Sequence, residues 1–107
     1  MKSIAIISAI CGLLLFSSTP PSLAEQRVKL SEDSSQNDSG VAFCPAAFAI
    51  LPKVSDGIPE DAEPTILINT NTRFIGEYYY KVNEITGVFQ VDCEGNTLTN
   101  RVYIVVE

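Results

Sequence analysis

Two cysteines, Cys44 and Cys93, limit this chain more tightly than any other feature, because what they can do depends on where the chain goes and how small its folded part is. A third, Cys11, lies in an N-terminal stretch with an early cation at Lys2, an apolar run from Ile4 to Phe16 and the triplet Ser22-Leu23-Ala24. Charge, apolar run and small-x-small triplet are the pattern of a secretory signal peptide, here over residues 1–24. The run falls short of the roughly 20 apolar residues that a membrane-spanning helix needs. Ile10 is bulky where bacterial lipoprotein processing wants a small residue, so Cys11 is expected to leave with the signal. The remaining pair enters an oxidising compartment and is expected to form one intramolecular disulfide.

Removal of residues 1–24 takes away Lys2 and leaves six cations against thirteen acids, a net charge of −7. Such a chain repels phosphate backbones and anionic lipid, so neither nucleic acid nor membrane is an expected partner. Residues 25–40, EQRVKLSEDSSQNDSG, offer only Val28 and Leu30 as sizeable apolar groups and read as a disordered acidic leader. Asn37-Asp38-Ser39 within it is a formal glycosylation sequon. At Val41 the composition turns to branched and aromatic residues, which leaves one domain at 41–107. A core that small is marginal without a staple. In the chain-entropy model, a link closing a loop of roughly 50 residues adds about 4 kcal/mol.

Between Ile85 and Glu94 apolar and polar residues alternate with a period of two, as in a half-buried strand. Gly95-Asn96 is a two-residue hairpin turn, and beyond it Leu98, Val102, Ile104 and Val106 share one parity. A tight turn sets Cys93 opposite Leu98 and Phe89 opposite Val102, so the large apolar pairs fall on one side. Upstream, Arg73 to Val82 alternates in the same way. A two-residue turn at Asn83-Glu84 would pair Tyr78 with Phe89, Phe74 with Cys93, and Tyr80 with the bare backbone of Gly87. The alternative is a wider loop through Thr86-Gly87. Thr65 to Asn69 reads as a short strand, PKVSDGIPEDAEP before it as a loop, and VAFCPAAFAIL as a strand, with one helical turn from Pro45 as the alternative. The result is an all-β domain of two small packed sheets, burying Phe48, Ile50, Ile66, Ile68, Phe74, Tyr78, Phe89, Val91, Val102 and Ile104.

No histidine is present, so neither a Ser-His-Asp nor a Cys-His site can be built. Asp56, Glu60, Asp61 and Glu63 could supply paired carboxylates or hold calcium. They sit in a proline-rich loop that reads as solvated, without EF-hand spacing or a desolvating pocket. The chain is therefore expected to be no enzyme and to carry neither cofactor nor metal. On the outward face, Tyr79, Val88 and Tyr103 would align across three strands as a small amphipathic patch, either open for contact or covered by a second layer or loop. Ile66 and Ile68 would lie on a strand that, at a sheet edge, could add a partner's strand.

The stretch Cys93 to Ile104, CEGNTLTNRVYI, resembles the end of the disulfide-closed strand in the MAX effectors, the Magnaporthe avirulence and ToxB-like family of secreted fungal proteins. That resemblance implies a small six-stranded antiparallel β-sandwich with one disulfide over residues 41–107. Phe43-Cys44 would open the first strand, and a bend at Asn100 would split Thr97 to Thr99 from Arg101 to Val106. It further implies a secreted effector of a plant pathogen, acting in virulence outside or inside host cells. Such an effector works by binding a host plant protein, for instance a small heavy-metal-associated domain protein or an immune receptor. The chain is expected to be a monomer. The second functional reading is a secreted inhibitor of an extracellular hydrolase, acting through the acidic loop from Asp56 to Glu63. A small glycan-active enzyme is the third.

Overall fold

The computed structural model describes residues 26–106, so the signal-peptide reading of residues 1–24 lies outside the described residues. Five strands make one sheet: β1 (Gln26–Gln36), β2 (Glu63–Asn69), β3 (Arg73–Val82), β4 (Ile85–Glu94) and β5 (Thr97–Val106), in the order β1-β5-β4-β3-β2. Every neighbouring pair is antiparallel. Between β1 and β2 the chain makes a 3-10 turn at Val41–Phe43 and two short helices, α1 (Cys44–Ala49) and α2 (Leu51–Val54). The fold is thus a single antiparallel sheet clasped by the Cys44–Cys93 disulfide, whose Cα atoms stand 6.7 Å apart.

The central meander has the register that alternation predicts. Phe74 pairs with Cys93, Tyr78 with Phe89 and Tyr80 with Gly87, while Phe89 pairs with Val102 and Cys93 with Leu98. The tight turn at Asn83-Glu84 forms, with both residues at positive φ (52° and 70°), the handedness that matches the twist of the flanking strands. β5 runs unbroken through Asn100, which pairs with Val91, so the expected bend is absent.

Three expectations are corrected. The segment read as a disordered leader contains an eleven-residue strand, β1, paired along β5 from Gln26 opposite Val106 to Gln36 opposite Thr97. It has no apolar stripe, and at the sheet's edge it is held by backbone bonds to β5 and by polar side-chain contacts. The segment read as a strand is helical from Cys44 to Ala49: Pro45 sits in its first turn, where its fixed φ suits a helix and its missing N–H costs nothing. Finally, the described residues form one sheet, and α1 takes the place of a second layer over only part of it.

That cover is closely fitted. Phe48 stacks on Tyr78 with ring centroids 4.4 Å apart, meets Phe74 edge-on at 5.5 Å, and accepts the Tyr78 hydroxyl proton on its backbone carbonyl at 2.6 Å. Its ring lies against Gly76, where any Cβ would come within 2.8 Å of it. Val41, Ile58 and Ala62 complete the core around Cys44, Phe74, Val91 and Cys93. Beyond α1 the same face is uncovered: Val28, Leu30, Val82, Ile85 and Val106 are exposed, and Val102 and Ile104 are half-buried rather than core. Ile50 and Ile66, also expected inside, are about half exposed. Ile50 ends the helix, and Ile66 lies on an edge strand opposite Gly76.

Candidate functional site

The opposite face of the sheet carries the row expected from sequence. Tyr79 pairs with Val88 and Val88 with Tyr103, so the three side chains cross β3, β4 and β5 side by side. Val88 is nevertheless fully buried. What covers it is Arg27 of β1, whose guanidinium carbon lies 5.7 Å from the centre of the Tyr79 ring and 5.5 Å from that of Tyr103. Arg27 also donates to both carboxylate oxygens of Glu77, at 2.7 and 3.0 Å, and to the Tyr79 hydroxyl at 2.6 Å. On a flat sheet β1 and β3 would stand three strand spacings apart, about 14 Å. The register sets Arg27 level with Lys81, four residues from Glu77, so on a flat sheet the two would also be offset by about 13 Å along the strands, and their direct bond requires the sheet to twist and curl toward this face. Val88 is thus covered by a residue from the segment read as leader, while Tyr79 and Tyr103 beside it stay half-buried.

Glu77 is completely buried and completely partnered. Besides Arg27, it accepts from the Tyr79 hydroxyl at 2.9 Å and from Gln90 Nε2 at 2.7 Å, so its four lone-pair positions are used. The chain of bonds continues: Arg101 donates to Gln90 Oε1 at 2.8 Å and to Asp92 Oδ2 at 2.9 Å, and Arg73 grips Asp92 from the other side at 3.0 and 3.2 Å. Arg101 also reaches Glu32 of β1 at 3.4 Å, and Ser34 of β1 bonds Thr99 at 3.0 Å. β1 is thus tied to the polar face at three places.

Burial pushes the Glu77 carboxyl upward, but the bonds from Arg27, Gln90 and Tyr79 outweigh it and hold the group below the ordinary carboxylate range. Asp92 behaves alike: burial raises it, and the two arginines more than reverse the effect. A general acid needs the reverse, a carboxyl kept protonated near neutral pH. These two carboxylates are held as anions and bind strands together.

The acidic loop is solvated, as its composition suggests: Asp56, Glu60, Asp61 and Glu63 are exposed, while Ile58 and Ala62 pin the loop to the core. Among the described residues, no group of three His, Cys, Asp or Glu side chains is placed to hold a metal, and no helix is long and apolar enough to cross a membrane.

The second candidate, β2, lies at a sheet edge. A register shift between Ile66 and Ile68 leaves Leu67 as an extra residue, so three apolar side chains run in succession along an edge that pairs on one side only. Ile66 is 54% exposed and Leu67 51%, whereas Ile68 is half-buried. The edge at β1 has a register shift too, at Leu30, but differs in charge, with Lys29, Glu32 and Asp33 among its exposed residues. Charges and bulges are the usual guards against strand addition.

The chain matches no protein-family model, no curated protein and no solved structure.

The structure brings Cys44 to Cys93, aligns Tyr79, Val88 and Tyr103, and sets Ile66 and Ile68 on the edge strand beside β3, where they lie opposite Gly76 and Ile75 and Tyr79 lies opposite Glu63. Arg27, Glu77 and Gln90, which decide the character of the polar face, went unnoticed in the sequence. Glu77 alone carried a signal: it is an acid in the row of a strand whose neighbours along that row are Ile75 and Tyr79.

Proposed function

We propose that this chain is a small exported effector of a plant pathogen that acts without catalysis, by binding a host protein along the edge of β2. The observation that carries this reading is the run Ile66-Leu67-Ile68 on an edge strand that, among the described residues, has a strand partner on one side only. An extended segment of a partner added there would gain main-chain hydrogen bonds, and the exposed Ile66 and Leu67 would give it apolar contact. The contrast with the charged edge at β1 makes β2 the favoured side. On the polar face Arg27 bonds the Tyr79 hydroxyl and lies over both tyrosine rings, which favours a structural part for that row.

The MAX resemblance supports the same kind of activity through residues Cys93 to Ile104, which span the clasp, the turn at Gly95-Asn96 and β5. The chain departs from that family's pattern in presenting Cys44 on a helix and in adding a strand at Gln26–Gln36. A full sandwich would need a second layer over the exposed Val28, Leu30, Val82 and Ile85. A host protein with an accessible strand edge, such as a small heavy-metal-associated domain, is the kind of partner this reading implies.

The test is capture of plant proteins on the mature chain, followed by direct binding measurements with each protein recovered. Ile66→Glu combined with Leu67→Glu should weaken the true partner at least tenfold and leave the melting temperature nearly unchanged, since both side chains are half in water. Charge reversal at Asp56, Glu60 and Asp61 should change binding little. The opposite pattern, with a hydrolase as the recovered protein, would replace this reading with that of an inhibitor working through the acidic loop.

A further inference from the structure

The sequon at Asn37 is a sequence feature that the binding function leaves unexplained, and its acceptor amide is already engaged in the fold. Asn37 Nδ2 donates to the Gly40 carbonyl at 3.0 Å and to Cys44 Sγ at 3.3 Å. Its Oδ1 accepts from the Ser39 backbone N–H at 3.1 Å, and its own backbone N–H donates to the Asn96 carbonyl at 2.7 Å, in the turn that follows Cys93. One asparagine therefore seats both ends of the clasp: its side chain touches Cys44, and its backbone touches the hairpin that carries Cys93. The loop between them turns through Gly40 at φ 75°.

We propose that Asn37 serves either as a glycan acceptor in the open chain or as the amide that seats Cys44 in the closed fold, and that a single molecule cannot use it for both. In N-glycosylation the carboxamide nitrogen attacks the anomeric carbon of a lipid-linked oligosaccharide. The N–C bond forms as the bond from that carbon to the pyrophosphate oxygen breaks, the lipid pyrophosphate leaves with the electron pair, and one Nδ2 proton is lost. The product amide keeps a single N–H, so it cannot donate to both Gly40 and Cys44. A sugar carbon in place of either proton would also lie well inside contact distance of the carbonyl oxygen or the sulfur. The side chain would have to swing out, releasing the 37–40 loop from α1 and removing a donor from the sulfur of Cys44. Closure of the clasp, in which two thiols give two protons and two electrons to an oxidised dithiol of the compartment, would then proceed without its seat, and reopening would be easier.

This inference rests on export through a glycosylating compartment, so the test supplies that step independently. The chain from residue 25 onward is secreted from a eukaryotic host behind a heterologous leader, as wild type, Ser39→Ala and Cys93→Ser. Ser39→Ala removes the sequon while keeping the Asn37 bonds, and Cys93→Ser keeps the sequon while abolishing the clasp. Glycopeptide mass spectrometry with differential thiol alkylation should find a glycan on Asn37 in Cys93→Ser. Wild-type molecules should be either bare with a closed clasp or glycosylated. The glycosylated ones should have free thiols, or a clasp reduced by dithiothreitol at least tenfold faster than that of Ser39→Ala. Glycosylated wild type whose clasp is reduced at the Ser39→Ala rate would overturn the proposal, as would a bare Asn37 in both wild type and Cys93→Ser.

Discussion

Each face of this sheet is closed over part of its area, and by opposite means. One is covered by α1, with Phe48 packed against Tyr78, Phe74 and Gly76, and is locked by the bond from Cys44 to Cys93. The other has no helix over it, yet Glu77 and Val88 are as deeply buried there as Phe74 and Cys93 are on the first. Arg27 accomplishes this by reaching across a concave sheet to pair with Glu77 and lie over two tyrosine rings. The comparison shows two routes to a dry interior in a domain too small for a large core. One removes apolar area from water and restricts the unfolded chain, and the other satisfies every buried polar atom. Among the described residues no buried side-chain polar atom lacks a partner.

If the faces are closed in these ways, they should fail differently. The largest effect is expected on the clasped face: Cys93→Ser, or reduction of the wild type, should remove about 4 kcal/mol of stability, to be read from urea denaturation with and without reductant. On the polar face, Arg27→Ala strands the buried Glu77 carboxylate, and breaking such a pair costs roughly 3 kcal/mol or more. Arg27→Ala with Glu77→Leu should recover much of that loss, because an apolar residue needs no partner. If the single and double variants were equally unstable, the pairing would not be what holds the face.

Acid should also separate the faces. Glu77 and Asp92 titrate below their ordinary values of 4.5 and 3.8 in the folded protein, so the unfolded chain binds their protons first as pH falls. Their contribution is complete above the ordinary values and is lost as pH drops through them toward the lowered ones. Denaturation midpoints should hold steady from neutral pH to about 4.5 and fall below it. In Glu77→Leu with Arg27→Ala that fall should be smaller. The smallest effect lies at the turn joining β3 and β4: Glu84 sits at φ 70°, so Glu84→Gly should stabilise the hairpin by about 0.5–1 kcal/mol in the same assay.

How far the sequence announced each face follows from the range of the forces involved. β3, β4 and β5 were legible with their registers because alternation and turn residues are local signals. The same alternation exposed the row of Tyr79, Val88 and Tyr103. Its cover was invisible because Arg27 lies 52 residues from Tyr79, and no local pattern marks an arginine that will cross a sheet. β1 was missed for the same reason. Its composition resembles that of a tail, and it is ordered by contacts with β5 and β3 that exist only in the folded chain. The helix at Cys44 was misread in another way: Pro45 and the alanines after it favour a helical turn, but the need to bring two cysteines together suggested a strand. The helix achieves the same meeting from above the sheet.

The contrast between the two faces depends on β1 being part of the folded domain. Hydrogen exchange on the chain from residue 25 onward measures this directly, residue by residue. The β1 amides paired with β5 should exchange far more slowly than free chain, and Arg27→Ala should speed them more than those of β4. Exchange across Gln26–Gln36 at the rate of an unstructured peptide, with β3 to β5 still protected, would contradict it.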